Sequence, residues 1–318
     1  MHRNLRLLQC ICRRSAQAVA VASLFAGAQA ARAQTQIVID DVRAFPESLT
    51  STADGTLIIG SLEHGTVYRA APGAAKATTW ISPGPADLKR VLGVFAHDAS
   101  NTLWVCTNDP DPQGKEAVLK AFDLKTAAPK GAYPFPNGGL CNDIAVTGDG
   151  TTLATDTRGG RILALKPGSN ALTVWAADPK WVGIDGIAML ADGAVLFNNV
   201  REHQLVRVEV KPDATAGAAT LLELSQPISG PDGMRSLPDG RIALVENRSG
   251  KIDIVTIAGD KATIETIKDG FKLTPTAITV VGDTGWVVEA KFAYRNDPQL
   301  KDKDPDPFAA VAVAIPRK

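Results

Sequence analysis

Four oxygen-bearing side chains recur at one place in the pattern of this chain. Glu47, Asn142, Asp185 and Asp232 each stand seven residues before the Asp of an Asp-Gly pair, at Asp54-Gly55, Asp149-Gly150, Asp192-Gly193 and Asp239-Gly240. Two weaker copies of the same register place Gly93 and Thr276 at the equivalent position. If the repeats are arranged about an axis, these side chains converge. Three carboxylates aimed at one point repel one another unless a cation sits among them. A donor set of oxygens, without His or Cys, suits a hard cation, and Ca²⁺ tolerates an irregular cage better than Mg²⁺. Asp and Asn also favour turns, so any one of the four reads equally well as a turn residue. Four at the same repeat position favour a shared metal, Ca²⁺ or another divalent cation.

The elements that must position these residues follow from the same repeat. Each Asp-Gly pair precedes an apolar run: Thr56–Gly60, Thr152–Thr155, Ala194–Asn198 and Arg241–Glu246. Asp-Gly between two apolar runs predicts a hairpin, because the turn needs positive φ. A third run follows a short polar turn, at Thr66–Ala70, Arg161–Leu165, Gln204–Val210 and Lys251–Ile257. The weaker copies run Gly93–Asp98, Thr102–Thr107, Ala117–Asp123 and Thr276–Val281, Gly285–Glu289, Ala309–Ile315. The starts at 47, 93, 142, 185, 232 and 276 define six units of about 46 residues. A sheet of three or four strands cannot bury both faces alone, whereas six packed radially can. The fold expected is therefore all-β, a single six-bladed β-propeller over residues 34–318. Its ring is closed by an N-terminal strand, Gln36–Val42, in the last blade. A β-sandwich does not explain the regular period. The insert Arg295–Pro307, rich in Asp, Lys and Pro, reads as a solvated loop of blade six.

Composition agrees with an ordinary globular chain: 318 residues, 45% hydrophobic and 21% charged. Its formal net charge of zero argues against nucleic acid as a partner. That zero conceals an asymmetry. Residues 1–33 hold Arg3, Arg6, Arg13, Arg14 and Arg32 and no acid, and without these five the balance is 29 basic to 34 acidic residues. A basic start, the apolar stretch Ser15–Ala28 and the small-x-small run Ala31-Arg32-Ala33 predict a cleaved secretory signal peptide over 1–33. The apolar stretch is shorter than the ~20 residues a spanning helix needs, so a periplasmic or secreted protein without a membrane span is expected. Cys10 and Cys12 would leave with the leader. Cys106 and Cys141 remain, and in an oxidising compartment they either bridge or stand as two buried thiols.

Several short motifs resemble the senescence-marker-protein (regucalcin)/gluconolactonase/strictosidine-synthase-like six-bladed propellers. They are Pro46-Glu47-Ser48, Asn142-Asp143-Ile144-Ala145, Asp185-Gly186-Ile187 and Pro231-Asp232-Gly233-Met234, the last three followed by an Asp-Gly turn. The resemblance covers about residues 40–316. It implies a calcium site built from a Glu in blade one, Asn in blades three and four and Asp in blade five. Glu47, Asn142 and Asp232 match that pattern, and Asp185 departs from it by bringing an acid where Asn is usual. It further implies hydrolysis of a small molecule, a lactone or related ester, with Asp232 as the residue that activates water or attacks; a monomer is expected. A non-catalytic propeller that binds a ligand around a structural metal is the rival reading.

Walls for a substrate are expected where the second strand of each blade ends. Arg158, Arg201 and Arg248 recur there in three successive blades, with Asn198 beside them. They suit a substrate carboxylate, or they pair with Asp156, Glu202 and Glu246 on the rim. His97 is a further candidate, because it lies on the inner strand of blade two. Nucleophile-elbow, phosphate-loop and zinc-protease motifs are absent from the sequence.

Overall fold

The computed structural model describes residues 34–318 apart from 112 and 306. The expected signal peptide at 1–33 lies outside the described residues. Among those described, no helix is long and apolar enough to cross a membrane.

The chain is all-β and builds its sheets one repeat at a time. Three sheets have four antiparallel strands each and begin at Arg90–His97, Cys141–Val146 and Ile184–Met189. A fourth begins at Pro231–Ser236 and gains a short fifth strand, Glu223–Leu224, beside Lys261–Lys268. The remaining described strands form an eight-stranded sheet. Within it Gln36–Ile39 pairs antiparallel with Ala309–Ala314 and parallel with Lys76–Ile81, joining the first repeat to the last. The first strands of the six repeats pack in sequence, and Pro275–Val281 returns to Pro46–Ser51. Core side chains lie between neighbouring sheets. One cluster runs from Leu49 and Ile59 to Val288 and Phe308, another from Leu196 to Leu244.

The Asp-Gly turns form as their sequence requires. Gly55, Gly150, Gly193 and Gly240 all take φ of 85–86°, a region open to glycine at little cost. In each turn the preceding Asp accepts the backbone N–H two residues on, as Asp149 does from Thr151 at 3.1 Å.

Two expectations need correction. Repeats one to five each have a fourth strand that the apolar pattern did not reveal, such as Pro129–Pro134 or Thr173–Ala177, because these outer strands are mostly exposed. The insert at 295–307 is also more than a solvated loop. It begins within the short helix Ala293–Asn296 and is pinned to repeat one by Arg295 on Glu63 at 2.7 Å and by Arg43 on the carbonyl of Lys301 at 3.1 Å.

Candidate functional site

Every first strand carries an irregularity at the same place. Its pairing with the second strand shifts register between Pro46 and Leu49, Val91 and Val94, Cys141 and Ile144, Ile184 and Ile187, Pro231 and Met234, and Pro275 and Ala277. A bulge re-aims the side chains within it. Here the bulges bracket the six positions that the repeat singles out. Glu47, Gly93, Asn142, Asp185, Asp232 and Thr276 all border one small cavity of about 10 Å³, the scale of one water or ion. Small residues let the strands approach this closely. A Cβ on Gly93 would stand 2.1 Å from the carbonyl oxygen of Asn142, and one on Gly186 2.3 Å from that of Asp232.

Glu47, Asn142, Asp185 and Asp232 are each less than a tenth exposed. The Asn142 amide donates to Asp185 at 2.9 Å and to the Thr157 hydroxyl at 3.1 Å. Asn247 donates to Asp232 at 2.8 Å. The carboxyls of Asp185 and Asp232 also interact, which favours the charged form of Asp185 and disfavours that of Asp232. Burial, and then the charges of Asp185 and Asp143, hold Glu47 well above the ordinary carboxylate range, against the pull of Arg235 and Arg90. Burial and then Asp143 push Asp185 up to about 7. Burial, then Asp185 and Glu47, raise Asp232 well above its usual range. None of the three is in an ion pair among the described residues.

Three buried acids and an amide, all oxygen donors, make a set whose chemistry fits a hard cation. The cavity is of ionic size. Among the described residues, however, no three His, Cys, Asp or Glu side chains stand together at metal-ligand spacing. Asp185 and Asp232 are held instead by the amides of Asn142 and Asn247.

The proposed substrate residues scatter. Asn198 is fully buried and donates to the backbone carbonyl of Asp232, so it supports the site from behind. Arg158 binds the carbonyls of Gly114 and Gly139 in neighbouring loops, and its charge is felt by Arg90, which in turn feels Glu47. Arg201 instead lines a cavity of about 790 Å³ with Trp181, Glu202 and Leu221, a lining that includes none of the four acid-site residues. Arg248 contacts His203 Nε2 at 3.1 Å. His97 ends its strand at a turn and meets Ser100 at 2.8 Å. It stands at the end of the first strand remote from Gly93, so it does not reach the acid cavity. Cys106 and Cys141 are joined in a disulfide with their Cα atoms 5.2 Å apart.

Two buried residues at the cavity escaped the sequence reading. Asp143 follows Asn142, and Arg235 lies across the axis from it, 3.0 Å away. A strand alternates faces with period two, which would keep Arg235 from sharing a face with Asp232. The bulge breaks that parity. Arg235, a second charged residue within the strand Pro231–Ser236, was the available signal.

No protein-family model matches the chain, and no curated protein matches it in sequence. Solved structures do match in shape. The calcium-binding protein regucalcin from Agrobacterium tumefaciens superposes with a TM-score of 0.62 at 16% identity, over 90% of this chain and 96% of that one. A protein assigned as a gluconolactonase gives 0.64 at 13% identity, over 89% and 94%. Virginiamycin B lyase from Staphylococcus aureus gives 0.58 at 19% identity, over 80% and 81%. The molecule thus has a β-propeller fold. More particularly, it is the fold of the regucalcin and gluconolactonase-like propellers.

Proposed function

We propose that this protein is an exported, calcium-dependent lactone hydrolase, a single six-bladed propeller whose ring is closed by its N-terminal strand. The observation that carries the reading is the convergence of Glu47, Asn142, Asp185 and Asp232, from four repeats, on one buried cavity. Six blades and strand closure are supported by the unbroken circuit of first strands and by the pairing of Gln36–Ile39 with Ala309–Ala314. Export rests on the sequence of residues 1–33.

Glu47, Asp185 and Asp232, with Asn142, would hold the cation. When bound, it supplies Lewis acidity, polarising an ester carbonyl and stabilising developing oxyanion charge. The rest falls to the chain. Asp232, oriented by Asn247 through its side chain and by Asn198 through its carbonyl, takes the proton of the attacking water. A carboxyl raised above its usual range suits a base that works nearer neutral pH. Water adds to the carbonyl, the ring oxygen leaves with a proton, and a hydroxy acid results. Arg90, half-buried beside Glu47 with its Nε unpartnered, adds positive charge near the cavity.

The size of the cavity favours a second reading, a propeller that binds a ligand or partner around a structural cation. About 10 Å³ admits an ion and no lactone. The test is hydrolysis of a panel of sugar and aliphatic lactones, followed by pH-stat in Ca²⁺ and in chelator. Turnover in Ca²⁺ that chelator abolishes supports the enzyme. Cation binding without turnover of any lactone overturns it in favour of the binder.

A further inference from the structure

Among the described residues, Arg235 is the one cationic side chain that borders the acid cavity. It is 8% exposed, and its contacts reach four repeats. Nη1 donates to Asp143 at 3.0 and 3.3 Å and to the Met234 carbonyl at 2.6 Å. Nη2 donates to the carbonyls of Leu49 at 3.2 Å and Val94 at 3.3 Å. The guanidinium also lies 5.8 Å from the ring centroid of Phe95. Arg235 borders the acid cavity and also a second cavity of about 410 Å³, lined by Thr50, Ala96, Leu237 and Thr279. Those residues lie at the far ends of the first strands, so Arg235 stands between the two ends of the axis.

Four carboxyl groups border the acid cavity: Glu47, Asp143, Asp185 and Asp232. Their treatment differs. Asp143 is tied to Arg235 and also accepts the Ile187 N–H at 3.2 Å. Among the described residues, the other three meet no cation within ion-pair distance. An arginine is charged at any working pH, so its effect on the cavity is permanent.

We infer that Arg235 is a fixed internal cation that withdraws Asp143 from the ligand set, lowers the affinity of the site for a divalent cation, and closes the axis so that the ion enters from one end. The inference rests on the cation reading of the site given above. It makes Arg235 a positioning residue for the metal centre. The affinity of oxygen cages follows their count of charged ligands. Freeing Asp143 would therefore tighten binding while leaving an unpaired buried carboxylate when the ion is removed.

The test is calorimetric titration with Ca²⁺, with melting temperatures in Ca²⁺ and in chelator. Arg235→Met is expected to bind Ca²⁺ about tenfold more tightly than wild type. Its melting temperature should fall in chelator and recover in Ca²⁺. Arg235→Met with Asp143→Asn removes the pair together and should return both quantities towards wild type. A merely structural arginine would lower stability in both conditions and tighten nothing. If Arg235→Met folds only with Ca²⁺ present, competition against a chelator of known affinity gives the same comparison. If it folds in neither condition, Arg235→Lys decides: an unchanged affinity supports a role of charge, and a tenfold loss overturns it. Wild type that binds Ca²⁺ beside an Arg235→Met variant that binds no more tightly overturns the inference alone. Wild type that binds no Ca²⁺, Mg²⁺ or Mn²⁺ overturns the cation reading with it.

Discussion

Two sets of polar residues repeat around this molecule, and they are used in opposite ways. The inner set is Glu47, Asn142, Asp185 and Asp232, at the bulges of the first strands. The outer set closes the second strands: Ser61, Asn108, Asp156, Asn199, Glu246 and Glu289. Both sets are rich in Asp, Asn and Glu. The outer set spends its oxygens and amides on backbone. Asp156 accepts the N–H of Leu140 at 2.9 Å and of Gly159 at 3.0 Å, besides Arg161 at 2.8 Å. Asn108 exchanges two hydrogen bonds of 2.9 Å with the backbone of Cys141. Glu246 accepts from Ser229 at 2.5 Å, and Glu289 from Leu273 at 2.8 Å. Each ties the end of a second strand to the segment that enters a first strand. The side chains of the inner set bond no backbone N–H among the described residues. Asn142 bonds Asp185 and the Thr157 side chain, and Asp232 accepts from the side chain of Asn247. Polarity and period alone therefore do not mark a functional ring; what marks it is burial without backbone partners.

The largest expected effect separates the two sets through Asp156→Ala. Removing this fully buried partner of Arg161 and two amides should cost about 3–5 kcal/mol, read by urea unfolding. The folded fraction should keep its Ca²⁺ affinity. A loss of affinity at unchanged stability would reverse the roles assigned here.

A somewhat smaller effect is expected from the disulfide, which is part of the same outer framework. Cys141 is the residue whose backbone Asn108 binds, and Cys106 lies two residues before Asn108. Cys106→Ala with Cys141→Ala should cost about 2–4 kcal/mol and leave cation binding unchanged. Intact mass of the native chain should lie two hydrogens below that of the reduced chain. Two thiols alkylated without reduction would contradict the bridge.

A pH effect follows from Glu246, an outer residue with a carboxyl neighbour. Burial first, and then a hydrogen bond to Glu246, push Asp253 up to about 7. Its folded pKa thus lies above the unfolded value near 3.8. The native state binds the extra proton between those values, so the stability it contributes is full below about 3.8 and lost as pH rises through about 7. Asp253→Asn mimics the protonated form. It should melt a few degrees above wild type at pH 8, with the advantage shrinking towards pH 5. A constant difference across that range would show that the pair holds no shared proton.

The repeat and the inner set were legible in the sequence for a plain reason. Asp-Gly turns need a special backbone, and the residues seven before them keep a constant offset. The strands Ala117–Asp123, Arg161–Leu165 and Gln204–Val210 fall where the apolar runs predict. The outer fourth strands did not, because exposed strands carry no apolar run. Arg201, Arg248 and His97 were drawn towards the site by position within the repeat, which fixes the end of a strand but not the direction of a long side chain. Arg235 and Asp143 were missed because the alternation of faces fails within a bulge, where Asp143 lies, and is reversed after one, where Arg235 lies.

The central claim is that the inner four hold one cation, and calorimetric titration with Ca²⁺ tests it most directly. Wild type should bind a single ion. Glu47→Gln and Asp232→Asn should each weaken that binding by about tenfold or more, and the double variant should lose less than the sum, since either change degrades the same cage. Asp185→Asn should weaken it less, because it keeps an oxygen ligand and leaves two carboxylates. Wild type that takes up no ion, or variants that bind as wild type does, would contradict the claim.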